Sequence, residues 1–183
     1  MYDAIVVGAR CAGSPAAMLL ARKGYRVLLL DKAVFPKDIM SGHYIHQPGV
    51  AYLKHWGLLD KVAATNCPPI SKVTFDVGDF SLIGSPPPAG DVVEGYCPRR
   101  KVIDKILVDA AVEAGAELRE EFIVEEIVVD NGCVTGIRGH RKGGSTVTET
   151  ARIVIGADGM HSIVARTVKS PRYNVVPSLT CNY

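Results

Sequence analysis

Residues 2–32, YDAIVVGARCAGSPAAMLLARKGYRVLLLDK, restrict the fold more than any other stretch of this chain. Residues 4–7 are a short apolar run rich in β-branched side chains, the pattern of a strand buried on both faces of a parallel sheet. A turn follows over residues 8–13 (GARCAG), bounded by Gly8 and Gly13. Ala17, Leu20 and Ala21 then recur at helical spacing within residues 14–23, and Gly24 supplies a C-terminal stop. Residues 27–30 are a second buried run with Asp31 at its carboxyl end. The expectation is a strand–turn–helix–strand unit carrying an acid at the tip of its second strand.

Such a unit suits a dinucleotide, because the turn and the positive end of the helix aim N–H groups at a diphosphate. Asp31 lies 23 residues after Gly8, near the ~20 expected of an acid that takes hydrogen bonds from an adenosine ribose. Arg10 occupies the second glycine position of G-x-G-x-x-G, where glycine normally lets backbone approach the pyrophosphate. Its side chain must point away or offer its guanidinium to the phosphates. The alternative is an ordinary βαβ packing turn that binds nothing.

The 183 residues suffice for one sizeable core or one domain with additions. A net charge of +2 with no block of like charges gives no sign of nucleic acid or an anionic membrane as partner. Five scattered cysteines, odd in number and without a C-x-x-C pair, argue against a disulfide framework or a zinc site and for a reducing compartment. The first apolar strand starts at residue 4, leaving no room for a signal peptide, and no apolar run approaches a membrane span. A cytoplasmic α/β protein is expected.

Further along, residues 32–43 form a loop broken by Pro36 and Gly42, and a helix over residues 48–55 has a short continuation through Leu58, Leu59 and Val62. Residues 72–83 predict two short strands about Gly78 and Asp79, and Pro86 to Pro88 a stiff exposed connection. Ile103, Ile106, Leu107, Ala110 and Ala111 give an amphipathic helix over residues 100–115. A third parallel strand should begin at Glu117. Residues 123–129 and 133–138 flank Asp130-Asn131-Gly132 as a hairpin, and a second hairpin turns at Lys142-Gly143-Gly144 into residues 146–150. Residues 153–155 read as one more buried strand, leading through Gly156-Ala157-Asp158-Gly159 to a last helix over residues 162–168. About 85 residues separate the second and third parallel strands, whereas a nicotinamide-binding doubly wound domain places one short helix there. The topology therefore favours a flavin-binding version.

Three landmarks, GARCAG with Asp31, the helix opening at Pro98-Arg99-Arg100, and IVIGADGMHSIVAR over residues 153–166, together resemble the FAD-dependent flavoprotein monooxygenases related to p-hydroxybenzoate hydroxylase and the geranylgeranyl reductases. The resemblance implies a Rossmann-like FAD-binding domain of the glutathione-reductase type, a parallel sheet plus β-meander, with parts of an inserted antiparallel substrate-domain sheet. Residues 1–66 and 98–170 would be the two segments of the FAD domain, residues 67–97 part of the substrate sheet, and residues 171–183 the start of a truncated substrate domain. It implies FAD contacts from Gly8, Arg10, Cys11, Ala12 and Gly13 at the diphosphate, from Asp31 at the ribose, from Lys32 next to it in sequence, and from Ser41, Gly42 and His43 beside the flavin. Arg100 would reach the phosphate or ribityl region, the main chain of Val124 the adenine, and Asp158 and Gly159 both FAD and a passing NAD(P)H. Arg100 can donate bidentate bonds to phosphate oxygens. His43 and His46 lack a third ligand of suitable spacing, so no metal is expected.

The implied activity is first an NAD(P)H-dependent monooxygenase acting on a small organic substrate, and second a flavin-dependent double-bond reductase of the geranylgeranyl type. A nicotinamide dehydrogenase domain and a non-catalytic dinucleotide-binding module are the rivals from other classes. No side chain presents itself as a catalytic acid or base. The family's later G-D motif is missing, and the sequence stops in what reads as an opening strand. It is therefore expected to be the N-terminal part of a longer protein, inactive alone.

Overall fold

The structure, a computed structural model, describes residues 1–173. In chain order the elements are β1 (Tyr2–Val7), α1 (Gly13–Arg22), β2 (Val27–Leu30), α2 (Gln47–His55), α3 (Leu59–Ala63), β3 (Pro69–Ile70), β4 (Val73–Asp76) and β5 (Ser81–Gly84). After these come β6 (Gly95–Tyr96), α4 (Arg100–Glu113), β7 (Glu117–Arg119), β8 (Phe122–Asp130), β9 (Cys133–Arg141), β10 (Thr146–Gly156) and α5 (Ile163–Thr167). A six-stranded sheet runs in the order β7-β2-β1-β10-β9-β8. Its first three strands and the second half of β10 are parallel, and its last two form the antiparallel meander.

β1 and β2 are buried on both faces because neighbours cover both. Val6 and Leu29 face a cluster built with Met18 and Ala21 of α1 and Leu107, Val108 and Ala111 of α4. Ile5, Val7, Leu28 and Leu30 face the other way, onto Phe122, Ile127, Ile137 and Val164. The apolar runs read from the sequence thus mark strands sandwiched between two apolar layers. Asn131 and Gly132 take positive φ of 48° and 79° at the tip of the β8–β9 hairpin, as a two-residue primed turn requires.

Two expectations need correction. Residues 146–150 and 153–155 are one continuous strand, β10, not two. Its first half pairs antiparallel with β9 through Thr150, and its second half pairs parallel with β1 from Ala151 onward. One strand can do both because it changes neighbours, not direction. Nor is its second half fully buried: Ile153 is 60% exposed. Of residues 171–183, expected to open a further domain, positions 174–183 lie outside the described residues.

Among the described residues, β4 and β5 pair only with each other. The register Phe75↔Leu82 and Val73↔Gly84 puts Val73, Phe75 and Leu82 on one face, and all three are exposed.

At the sheet edge, the Tyr2 hydroxyl donates to Glu117 Oε2 (2.6 Å) and accepts from Arg119 Nη2 (3.0 Å). Arg119 also binds Glu149 at 2.6 Å. The Tyr2 donor, followed by Arg119, holds the Glu117 carboxyl below its ordinary value, while burial and then the Glu117 acceptor push the Tyr2 phenol up. A depressed acid contributes stability above its unfolded pKa and loses it as pH falls, whereas a raised phenol loses its contribution as pH rises past its ordinary value of 10.0. Tyr2→Phe is expected to cost about 1 kcal/mol near neutral pH and to flatten both flanks of the stability–pH curve. Urea unfolding across pH checks it, and unchanged flanks would contradict it.

Candidate functional site

Three strand ends converge at one place. The Gly8 N–H donates to Leu30 O (2.7 Å) and the Ala157 N–H to Val7 O (2.8 Å), tying together the carboxyl ends of β1, β2 and β10. Above them opens a cleft of about 930 Å³, the position at which open α/β sheets receive ligands. The glycines make this junction possible. A Cβ on Gly8, whose φ is +102°, would stand 2.3 Å from Ala157 O, and one on Gly13 would stand 1.7 Å from Gly8 O.

α1 points its N-terminus at the cleft. Ala12, its N-cap, offers no side-chain cap, and the first turn carries no acid, so the helix start keeps a positive dipole end, although the Ser14 N–H already donates to Arg10 O at 3.0 Å and Pro15 has no N–H to give. Arg10 and Arg100 add two guanidinium groups to the wall. On the facing side Asp31 accepts from the Ala9 N–H through Oδ2 and from the Ala33 N–H through Oδ1, both at 2.8 Å. Each carboxylate oxygen retains a lone pair for a further donor. Asp158 accepts from the Ile163 N–H through Oδ2 at 2.7 Å, while its buried Oδ1 has no partner. A ligand hydroxyl would satisfy that orphan oxygen. Ser162 Oγ caps α5 by accepting from the Ala165 N–H at 3.0 Å, so Asp158 and Ser162 both serve the start of α5, Asp158 with one oxygen only.

The cleft therefore offers donors and positive charge for phosphates at one wall, acceptors for sugar hydroxyls at Asp31 and Asp158, and an apolar side at Val7, Leu30, Phe122 and Val124. The residues present fit a flavin adenine dinucleotide.

Of the residues singled out from the sequence, Gly8, Arg10, Cys11, Ala12, Asp31, Lys32, Arg100, Val124, Asp158 and Gly159 line this cleft. Gly13 does not, because it is packed against Gly8 behind the turn. Ser41, Gly42 and His43 are also outside the lining. That segment folds on itself, with His43 Nδ1 against Ser41 O and His43 at a φ of 58°. The same loop reaches the cleft instead through Lys37 and Ile39. His161 is a further lining residue that the sequence reading passed over, although it stands two residues after Gly159.

Behind the wall sits another. Asp104 of α4 is fully buried and accepts from Arg10 Nη1 at 2.6 Å and from Arg100 Nε and Nη2 at 3.0 and 3.1 Å. Its position four residues after Arg100, in the stripe of Ile103 and Leu107, was the available signal. Arg10 thus neither swings free nor abandons the turn: it is bound to α4 and lies 5.3 Å from the Phe35 ring centre. The Cys11 sulfur lies 3.3 Å from Asp104 Oδ1. Desolvation and the adjacent carboxylate push its thiol up to about 11. The sulfur is a protonated neighbour and not a reactive thiolate. No group of three or more potential metal ligands occurs among the described residues, and no helix there is long and apolar enough to cross a membrane.

Comparison with known proteins agrees with this geometry. The family described as "FAD binding domain" matches residues 1–176. Digeranylgeranylglycerophospholipid reductase 2 of Methanopyrus kandleri is 34% identical over 185 residues, covering 97% of this chain and 41% of that protein. A geranylgeranyl bacteriochlorophyll reductase-like protein from Thermoplasma acidophilum superposes with a TM-score of 0.72 at 26% identity, over 86% of this chain and 38% of its own. The flavin-dependent brominase Bmp2 superposes with a TM-score of 0.80 at 22% identity, over 91% and 40%, and at that identity it speaks for the fold alone. The chain spans about two fifths of the length of the curated relatives it matches.

Proposed function

The chain belongs to the FAD binding domain family, and from that premise we propose that it forms the cofactor-binding part of a flavin-dependent reductase acting on the carbon–carbon double bonds of an isoprenoid lipid. The observation that carries the substrate class is the 34% identity over nearly the whole chain to a digeranylgeranylglycerophospholipid reductase. That likeness puts the reductase reading ahead of the monooxygenase that the sequence resemblance put first.

In this reading the N-terminus of α1, Arg10 and Arg100 hold the diphosphate, Asp31 takes the adenosine ribose, and the main chain of Val124 borders the adenine. Asp158 Oδ1 accepts a hydroxyl, and Gly159 leaves room beside it. FAD bound there and reduced by two electrons, with NAD(P)H as the proposed source, would supply the hydride that together with a proton saturates a double bond. The chain's own residues bind and orient that group. Residues 67–97 belong to the substrate side of the protein, on the grounds that the apolar face of the β4–β5 hairpin is bare.

The test uses the whole encoded protein, loaded with FAD, reduced without oxygen and offered a geranylgeranyl lipid. Flavin reoxidation with the gain of H₂ per double bond, read by mass spectrometry, is the expected result. Substrate-dependent oxygen uptake with an oxygenated product would return the monooxygenase to first place.

A further inference from the structure

We propose that Asp104 is a positioning residue, a buried carboxylate that holds Arg10 and Arg100 together as one cationic fork for the diphosphate of the dinucleotide. The inference rests on the flavin-binding reading above. Arg10 belongs to the turn after β1 and Arg100 to the first residue of α4, 90 positions away. Alone, two guanidinium groups bordering one cleft repel each other and would splay into solvent. Asp104, with no exposed surface, bridges them through both oxygens.

The bridge leaves donors to spare. A guanidinium has five N–H groups. Arg100 uses two of its five and Arg10 one, so most remain for an anion. Both side chains keep access to the cleft, at 24% and 15% exposure. The three charges sum to +1, so the cluster still attracts a diphosphate, while side-chain ordering is already complete before the ligand arrives. The arrangement also explains how arginine can stand at the second position of the glycine-rich turn: its side chain is drawn sideways onto α4, away from the space where backbone must approach the pyrophosphate.

The experiment compares wild type and Asp104→Asn in the whole encoded protein, measuring Kd for FAD, ADP and adenosine at two ionic strengths. If Asp104 positions the phosphate donors, FAD and ADP weaken by about tenfold or more, their salt dependence shallows, and adenosine binding stays within about twofold. A role in packing alone would move ADP and adenosine together, and that result, or unchanged ADP binding, would overturn the inference. Should Asp104→Asn fail to fold, Arg100→Lys serves instead. It keeps the charge but loses the bidentate fork, so ADP is expected to weaken about fivefold with adenosine unchanged, and unchanged ADP would overturn the inference equally. Wild-type protein that binds neither FAD nor ADP would sink the flavin reading itself, an outcome distinct from a normal wild type with an unaffected variant.

Discussion

Gly13→Ala is expected to lose at least about 3 kcal/mol of stability, because the new methyl group has nowhere to go. It would stand 1.7 Å from Gly8 O and 3.1 Å from the Ala157 Cβ. The first of these is backbone, fixed by the ladder that joins β1 to its neighbours, so the clash is relieved only by pushing α1 off the sheet. Since α1 packs on both the sheet and α4, the midpoint of thermal unfolding should fall by about 10 °C, and flavin binding should go with it. Gly42→Ala is the control: nothing lies within 4 Å of its would-be Cβ, and it should behave as wild type. Equal melting of the two variants would show that the turn is looser than these distances allow.

Asp31→Ala is the second large effect, with an expected loss of about 3 kcal/mol or more. The residue is 8% exposed, and its carboxylate terminates two backbone donors, the N–H groups of Ala9 and Ala33. Alanine leaves both without an acceptor inside the protein. Asp31→Asn is the informative partner, since its amide keeps one acceptor and much of the fold. Adenosine and ADP should both weaken about tenfold in Asp31→Asn, whereas Asp104→Asn should spare adenosine. Calorimetric titration of the two variants therefore maps sugar recognition and phosphate recognition onto different carboxylates. Retained adenosine affinity in Asp31→Asn would remove Asp31 from the ribose.

How much of this could be read from the sequence depended on whether the physics was local. β1 and β2 were legible because four consecutive apolar residues cannot face water on either side, and Asp31 was legible because its distance from Gly8 is set by one helix and one strand. Asp104 was not. Among Lys101, Lys105 and Asp109 an acid on α4 looks like one more solvated charge, and indeed Lys105 and Asp109 form an exposed pair. Its spacing from Arg100 hints at a pair, and the arginine that meets it from the distant turn reveals its role. The unity of β10 was hidden for a related reason: Ala151 and Arg152 break the alternation at the point where the strand exchanges one neighbour for another. Ser41, Gly42 and His43 stand outside the cleft lining, and a loop containing Pro36 and a left-handed His43 has no period from which its reach can be read.

β1 lies between β2, fewer than thirty positions away, and β10, whose partner residues are some 150 positions along the chain. During synthesis on the ribosome, the N-terminal strand must therefore wait, half-clothed, until almost the whole of this region has been translated. Its late partner arrives as a pairing of very high contact order, which closes slowly. Until then the open flank of β1 is a template for wrong strands, so the nascent polypeptide should depend on chaperones most in the interval before Gly156 leaves the exit tunnel.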